Sequence, residues 1–121
     1  MNDLKHGLPA QTVEQIRSLL ASHPHVEKAI LYGSRAKGNF KNGSDIDLSF
    51  LGKDLVLEDL MKIAGELDEL PIPYKVDVSL FEQLNNAELK EHIERVGVVF
   101  YKCESTEEIK QPLNSSNEKL V

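Results

Sequence analysis

Two aspartates, Asp45 and Asp47, stand one residue apart in "SDIDLSFLG", a run that otherwise alternates like a half-buried strand. Ile46, Leu48 and Phe50 fall on one side of it, and Asp45, Asp47 and Ser49 on the other. Strand rise separates the two aspartates by about 6.5–7 Å at Cα on that shared side. "YKVDVSLF" repeats the pattern, and Asp77 has the same parity, because Val76 and Val78 take the apolar side. If the two strands are neighbours, three carboxylates converge. At about 6 Å and an effective dielectric near 20, each like-charged pair costs about 3 kcal/mol, so the cluster calls for a cation or a shifted proton. Hard divalent ions such as Mg²⁺ take one or two carboxylates together with substrate phosphate, which suits three aspartates better than a Zn²⁺ site would. Two such ions, about 3.5–4 Å apart, serve the attacking and the leaving oxygen of an in-line displacement. The chemistry indicated is phosphoryl or nucleotidyl transfer.

Such a reaction needs a place for phosphates, and the link before the aspartates offers one. Gly33 allows close backbone approach, and Ser34 supplies a hydroxyl and an N–H where a short helix would begin. Arg35, Lys37 and Lys41 then place three cations within seven residues. With each residue type near ~7% usage, Gly-Ser followed at fixed spacing by Asp-x-Asp arises by chance in roughly 0.2% of chains this long.

The elements that must carry these residues can be read in order. Residues 10–22 have the helical spacing Val13, Ile16, Leu19, Leu20 between Pro9 and Pro24. "EKAILYGS" is a first strand and "SDIDLSFLG" a second, joined by residues 35–44, which are short for a full helical crossover, so one helical turn or two and an antiparallel or mixed arrangement are expected. Residues 56–69 return to helical spacing through Leu60, Ile63, Ala64 and Leu67 and stop at "LPIP". After the "YKVDVSLF" strand, Asn85 and Glu88 read as a capping pair for a helix with the stripe Leu89, Ile93, Val96, and "VGVVFYK" is a last strand. The order predicts one α/β (α+β) domain, a mixed four-stranded sheet flanked by helices, over residues 1–103. Residues 104–121 lack periodicity and read as a polar tail.

Composition bounds the partners. A chain of 121 residues has room for one ordinary domain, so an acceptor is expected to be bound there or brought by another molecule. The formal charge of −6 argues against affinity for a long nucleic acid, which needs a basic face. Cys103 is the single cysteine, which excludes an intrachain disulfide and a Cys-rich metal site and fits a reducing compartment. No run approaches the ~20 apolar residues of a membrane span, and "MNDLKHGLPA" has no secretory h-region, so a cytoplasmic location is expected.

Competing motifs fail. No Gly-rich run is followed by Lys-Ser or Lys-Thr, and no GxGxxG occurs. His23 and His25 lack a third ligand nearby and read as a helix-end loop, and His92 reads as a surface residue on a charged helix. Tyr32, Tyr74, Phe81, Phe100 and Tyr101 sit in or beside strands and read as packing rather than as a base-stacking platform.

"GSRAKGNFKNGSDIDL", with the later "KVDV", resembles the signature of the DNA polymerase β-like nucleotidyltransferase superfamily. It is most similar to the minimal nucleotidyltransferase (MNT) antitoxins of HEPN/MNT toxin–antitoxin pairs, over roughly residues 9–103. The resemblance implies that Gly33 and Ser34 hold the β- and γ-phosphates, with Arg35 and Lys37 assisting. It implies Asp45 and Asp47 as metal ligands, and Asp77 as a metal ligand that also meets the acceptor hydroxyl. Lys37 stands where relatives often have arginine, keeping the charge without the bidentate fork. Larger members of the superfamily append helical domains for the acceptor, and the expectation here is an acceptor delivered by another protein. The implied activity is Mg²⁺-dependent transfer of AMP from ATP to a hydroxyl, a tyrosine, of a HEPN-type ribonuclease toxin in a hetero-oligomer. Two alternatives remain open at this point: an antitoxin that neutralises by binding alone, and a nucleotidyltransferase acting on a small molecule.

Overall fold

The computed structural model describes residues 6–103. The polar tail expected over residues 104–121 lies outside the described residues. The elements run α1 (Ala10–Ala21), β1 (Lys28–Tyr32), α2 (Ser34–Lys37), β2 (Ile46–Leu51), α3 (Leu57–Asp68), β3 (Val76–Leu80), a 3₁₀ turn (Phe81–Gln83), α4 (Ala87–Val96) and β4 (Val98–Lys102). Apart from the 3₁₀ turn, this is the order expected from the apolar periodicities.

The strands form one mixed sheet in the order β3-β2-β1-β4. β1 pairs antiparallel with β2 and with β4, and β2 pairs parallel with β3. A short link therefore suffices between β1 and β2, whereas the parallel pair needs the long crossover that α3 provides.

One face of the sheet holds the core. Ala29, Leu31, Ile46, Leu48, Phe50, Leu80 and Phe100 point there, each at most 6% exposed, and meet Val13, Ile16 and Leu20 of α1 and Ile63 and Leu67 of α3. Full burial of an aliphatic or aromatic side chain contributes about 1.5–3 kcal/mol, so this face supplies most of the stability. The loop between α1 and β1 is strapped to α3 by its two histidines. His23 Nε2 lies 2.7 Å from Glu66 Oε1, and His25 Nδ1 lies 2.9 Å from Asp59 Oδ2. Asp59 also accepts the Val56 N–H at 3.0 Å, which satisfies one of the orphan donors at the start of α3.

The opposite face is not bare. α4 stands on part of the carboxylate side. Its Ile93 is buried outside the main cluster, and a Cβ on Gly97 would collide with Ile30 Cγ2, a residue on the face that carries Asp47. His92 is likewise not a surface residue. It is half-buried, edge-on to Tyr32 with ring centroids 6.3 Å apart. The cap of α4 is Asn86 rather than Asn85, its Oδ1 accepting the Leu89 N–H at 3.1 Å. Among the described residues, no helix is long and apolar enough to cross a membrane.

Candidate active site

β1 delivers its last residue, Tyr32, opposite Asp47 of β2, and β2 delivers Asp47 opposite Asp77 of β3. The parity argument therefore holds in three dimensions. Tyr32, Asp47 and Asp77 form a row across three strands on the face away from the core. Asp45 precedes β2 on the same side and is exposed. Asp77 is half-exposed and leans towards Lys75, whose Nζ is 3.8 Å from its Oδ1.

The row is electrostatically loaded. Burial, and after it the charges of Asp77 and Asp45, hold the Asp47 carboxyl above the usual carboxylate range. The Tyr32 phenol is pushed up by burial, against the effect of its hydrogen bond to Ser79, and further up by Asp47 and Asp77. Below the carboxylates, Ser79 Oγ donates to the fully buried Ser49 Oγ at 3.0 Å, so the floor of the site is a hydroxyl pair rather than an apolar surface.

The Gly-Ser step abuts this row. Gly33 has φ 78° and ψ −155°, a region only glycine occupies readily, and a Cβ there would collide with the Asp47 carboxylate. Strand end and carboxylate are thus in contact, and no other residue fits between them. α2 then runs for one turn from Ser34 and stops at Gly38, φ 89°, whose N–H bonds Ser34 O at 2.9 Å.

The three cations of the link go different ways. Lys37 and Lys41 are exposed. Arg35 is 2% exposed, and its guanidinium points into the protein, donating from Nε and Nη2 to Ser44 O at 3.1 and 2.9 Å and from Nη1 to His6 O at 3.0 Å. It stacks on Phe40 and Tyr74, each ring centroid 5.1 Å from Cζ. The sequence grouped Arg35 with the phosphate cations, yet its donors are taken up by the loop that it closes.

The structure thus gathers Gly33, Ser34, Asp47 and Asp77, sets Asp45 at the rim, leaves Lys37 outside in solvent and turns Arg35 inward. It adds Tyr32, Ser49, Ser79 and His92. The parity of Ser49 and Ser79 was legible in the sequence, whereas Tyr32 and His92 enter only through strand register and the placement of α4. Among the described residues, no three His, Cys, Asp or Glu side chains close around a single point. The donor set is instead a pair of neighbouring carboxylates with a third at the rim, all hard oxygen ligands. That fits a divalent ion which takes one or two carboxylates and completes its shell with phosphate and water.

A sequence model of the family described as "Polymerase beta, Nucleotidyltransferase" matches residues 14–106. No curated protein matches the chain. Several solved structures share its fold. A toxin–antitoxin crystallised with AMP-PNP is 22% identical, with 80% of this chain and 78% of that one covered and a TM-score of 0.62. A tri-AMPylated HEPN toxin of Shewanella oneidensis in complex with an MNT antitoxin is 20% identical, with coverages of 82% and 76% and a TM-score of 0.58. A nucleotidyltransferase structure from Sulfolobus solfataricus is 26% identical, with coverages of 78% and 80% and a TM-score of 0.51.

Proposed function

We propose, for a chain that belongs to the polymerase beta nucleotidyltransferase family, that it transfers AMP from ATP to a tyrosine hydroxyl of a HEPN-type helical ribonuclease and so acts as that toxin's antitoxin. The observation that carries the reading is the contact between Gly33 and the Asp47 carboxylate, with Asp77 in register beside it. A triphosphate lying along Gly33 and Ser34 is thereby brought against two carboxylates. The structures of similar fold support the choice of donor and partner, since one holds AMP-PNP and another pairs an MNT antitoxin with an AMPylated HEPN toxin.

In this reading Ser34 and the exposed Lys37 bind the β- and γ-phosphates, and Arg35 acts indirectly by holding the loop. Asp45, Asp47 and Asp77 would hold Mg²⁺, one ion or two, which when bound neutralises the charge that develops on the phosphate oxygens. The acceptor oxygen bonds to the α-phosphorus, and the bond from that phosphorus to the bridging β-phosphate oxygen breaks. Pyrophosphate departs, and Asp77 takes the hydroxyl proton. Positioning of the acceptor contributes effective molarities of about 10⁵ M or more, so an acceptor that nothing orients reacts very slowly. α4 covers only part of the carboxylate face, and a partner's surface supplies the remaining wall together with the nucleophile. An ATP-dependent modification of a ribonuclease belongs in the cytoplasm.

Incubation of the chain with ATP, Mg²⁺ and a HEPN-type helical ribonuclease from the same genome tests this by mass spectrometry. The expected result is AMP added to a partner tyrosine. A partner left unmodified, and inhibited equally well by Asp77→Ala, would establish an antitoxin that works by binding alone.

A further inference from the structure

Asp45 is the one carboxylate of the three that the sheet does not hold. The paired register of β2 begins at Ile46, whose N–H bonds Lys75 O at 2.9 Å, and Asp45 has no partner in either ladder. What precedes it is a closed turn. Ser44 N–H donates to Lys41 O at 3.0 Å, and Lys41 N–H donates to Ser44 Oγ at 2.8 Å. The carbonyl of Ser44 belongs to the peptide unit that ends at the Asp45 nitrogen, and that carbonyl is chelated by Arg35 Nε and Nη2. The third arm of the guanidinium holds His6 O, and its Cζ lies 5.1 Å from the ring centroids of both Phe40 and Tyr74.

A buried cation to which no carboxylate of the described residues is bonded is a costly choice for a loop staple, and a neutral side chain would fill the space more cheaply. The planar fork explains the choice. It can chelate one carbonyl, reach a second and stack on two rings at once, whereas an ammonium is a hydrated point charge without a plane. From this geometry, and resting on the function proposed above, we infer that Arg35 is a positioning residue for divalent-metal binding, acting through the Ser44–Asp45 peptide. Arg35 orients that peptide plane from one side, Lys75 O fixes the Ile46 N–H on the other, and the backbone of Asp45 is thereby set at the rim of the row formed by Asp47 and Asp77. The two exposed lysines of the link are left to meet phosphate.

The test uses the full chain with saturating AMP-PNP and reads bound Mn²⁺ by electron paramagnetic resonance, with melting temperature measured alongside. Arg35→Lys is expected to weaken Mn²⁺ binding about tenfold at a temperature where the variant is fully folded, the lower end of the range for partners that orient a metal ligand. Arg35→Ala should weaken it further, and millimolar methylguanidinium, which can re-enter the slot between Phe40 and Tyr74, should restore it where methylammonium does not. In the Asp45→Asn background, Arg35→Lys should cause no further loss, because its effect runs through Asp45. If both Arg35 variants fail to fold, Phe40→Leu removes one ring from the guanidinium and should weaken Mn²⁺ binding about threefold, within the spread of such couplings. Folded Arg35 variants that bind Mn²⁺ like the wild type, or that add a full further loss to Asp45→Asn, would overturn the inference while leaving the proposed function intact. A wild-type chain that binds no Mn²⁺ beyond what AMP-PNP alone holds would overturn both.

Discussion

Along β2, Ile46, Leu48 and Phe50 are at most 1% exposed and pack under α1 and α3, while Asp47, interleaved with them, faces a like charge in the next strand. Alternate residues of one strand are therefore set to opposite tasks. The core side supplies the free energy that makes the sheet rigid, and the other side spends part of it holding carboxylates where water alone would separate them. Stability and chemistry are thus separable by parity, and substitutions on the two sides of β2 should divide cleanly.

The largest expected effect is on the charged side. Asp47→Asn should lower transfer by about a hundredfold or more, the scale seen when a metal site loses an essential contact, while circular dichroism and melting report an intact fold. Unchanged turnover would mean that the row is not the site. Asp45→Asn should act in the same direction.

On the core side, Leu48→Ala should cost about 2–5 kcal/mol of stability in urea unfolding, with transfer per folded molecule unchanged. A variant equally stable but inactive would break the division by parity. Smaller is the expected effect of Ser34→Ala, a loss of about 1–3 kcal/mol in ATP affinity, the range for a hydrogen bond to a charged group. Isothermal titration that finds equal affinity would reduce the Gly-Ser step to a turn.

The smallest effect carries a sign. The Asp47 carboxyl is raised from its ordinary value of 3.8 by burial and by Asp77 and Asp45. The stability that goes with its protonated form is therefore fully present below 3.8 and lost as pH rises through the raised value. Asp47→Asn should match the wild type in acid and exceed it in stability at neutral pH without added metal. Urea titrations at the two pH values, showing a gain in acid or none at neutrality, would contradict the cost of burial and repulsion inferred for the Asp47 carboxylate.

Periodicity made the ladder of elements and the parity of the three aspartates legible, because alternation along a strand is a local property of the chain. What stayed hidden is non-local. Arg35, Lys37 and Lys41 are alike in charge and neighbours in sequence, and it takes non-local partners, His6 O and the Tyr74 ring from the loop between α3 and β3, together with Ser44 O and Phe40, to hold one of them inside. His92 met Tyr32 for a similar reason. The covering of the carboxylate face by α4 depends on the return path to β4 at the other edge of the sheet, which no pattern within α4 encodes. The one-residue error at the α4 cap is of another kind: Asn85 and Asn86 are equally good acceptors side by side, and a pattern in residue types does not separate them.

The parallel pairing of β2 with β3 also sets an order of assembly. Tyr32 and Asp47 are 15 residues apart along the chain (32 to 47), and Asp47 and Asp77 are 30 apart (47 to 77). The second closure costs only about 0.6 kcal/mol more in loop entropy, but it also waits for α3 to form and dock as a crossover, and non-local pairing is the slow part of folding. A nascent chain therefore acquires its Gly-Ser step and Asp47 early, as an antiparallel pair, and becomes a transferase only when β3 arrives with Asp77. Pulsed hydrogen exchange should find the amides of the β1–β2 pair protected before those of β3, and the reverse order would show that the crossover leads. Activity would then appear in one step, late, and no shortened chain ending before β3 could modify a partner or consume ATP.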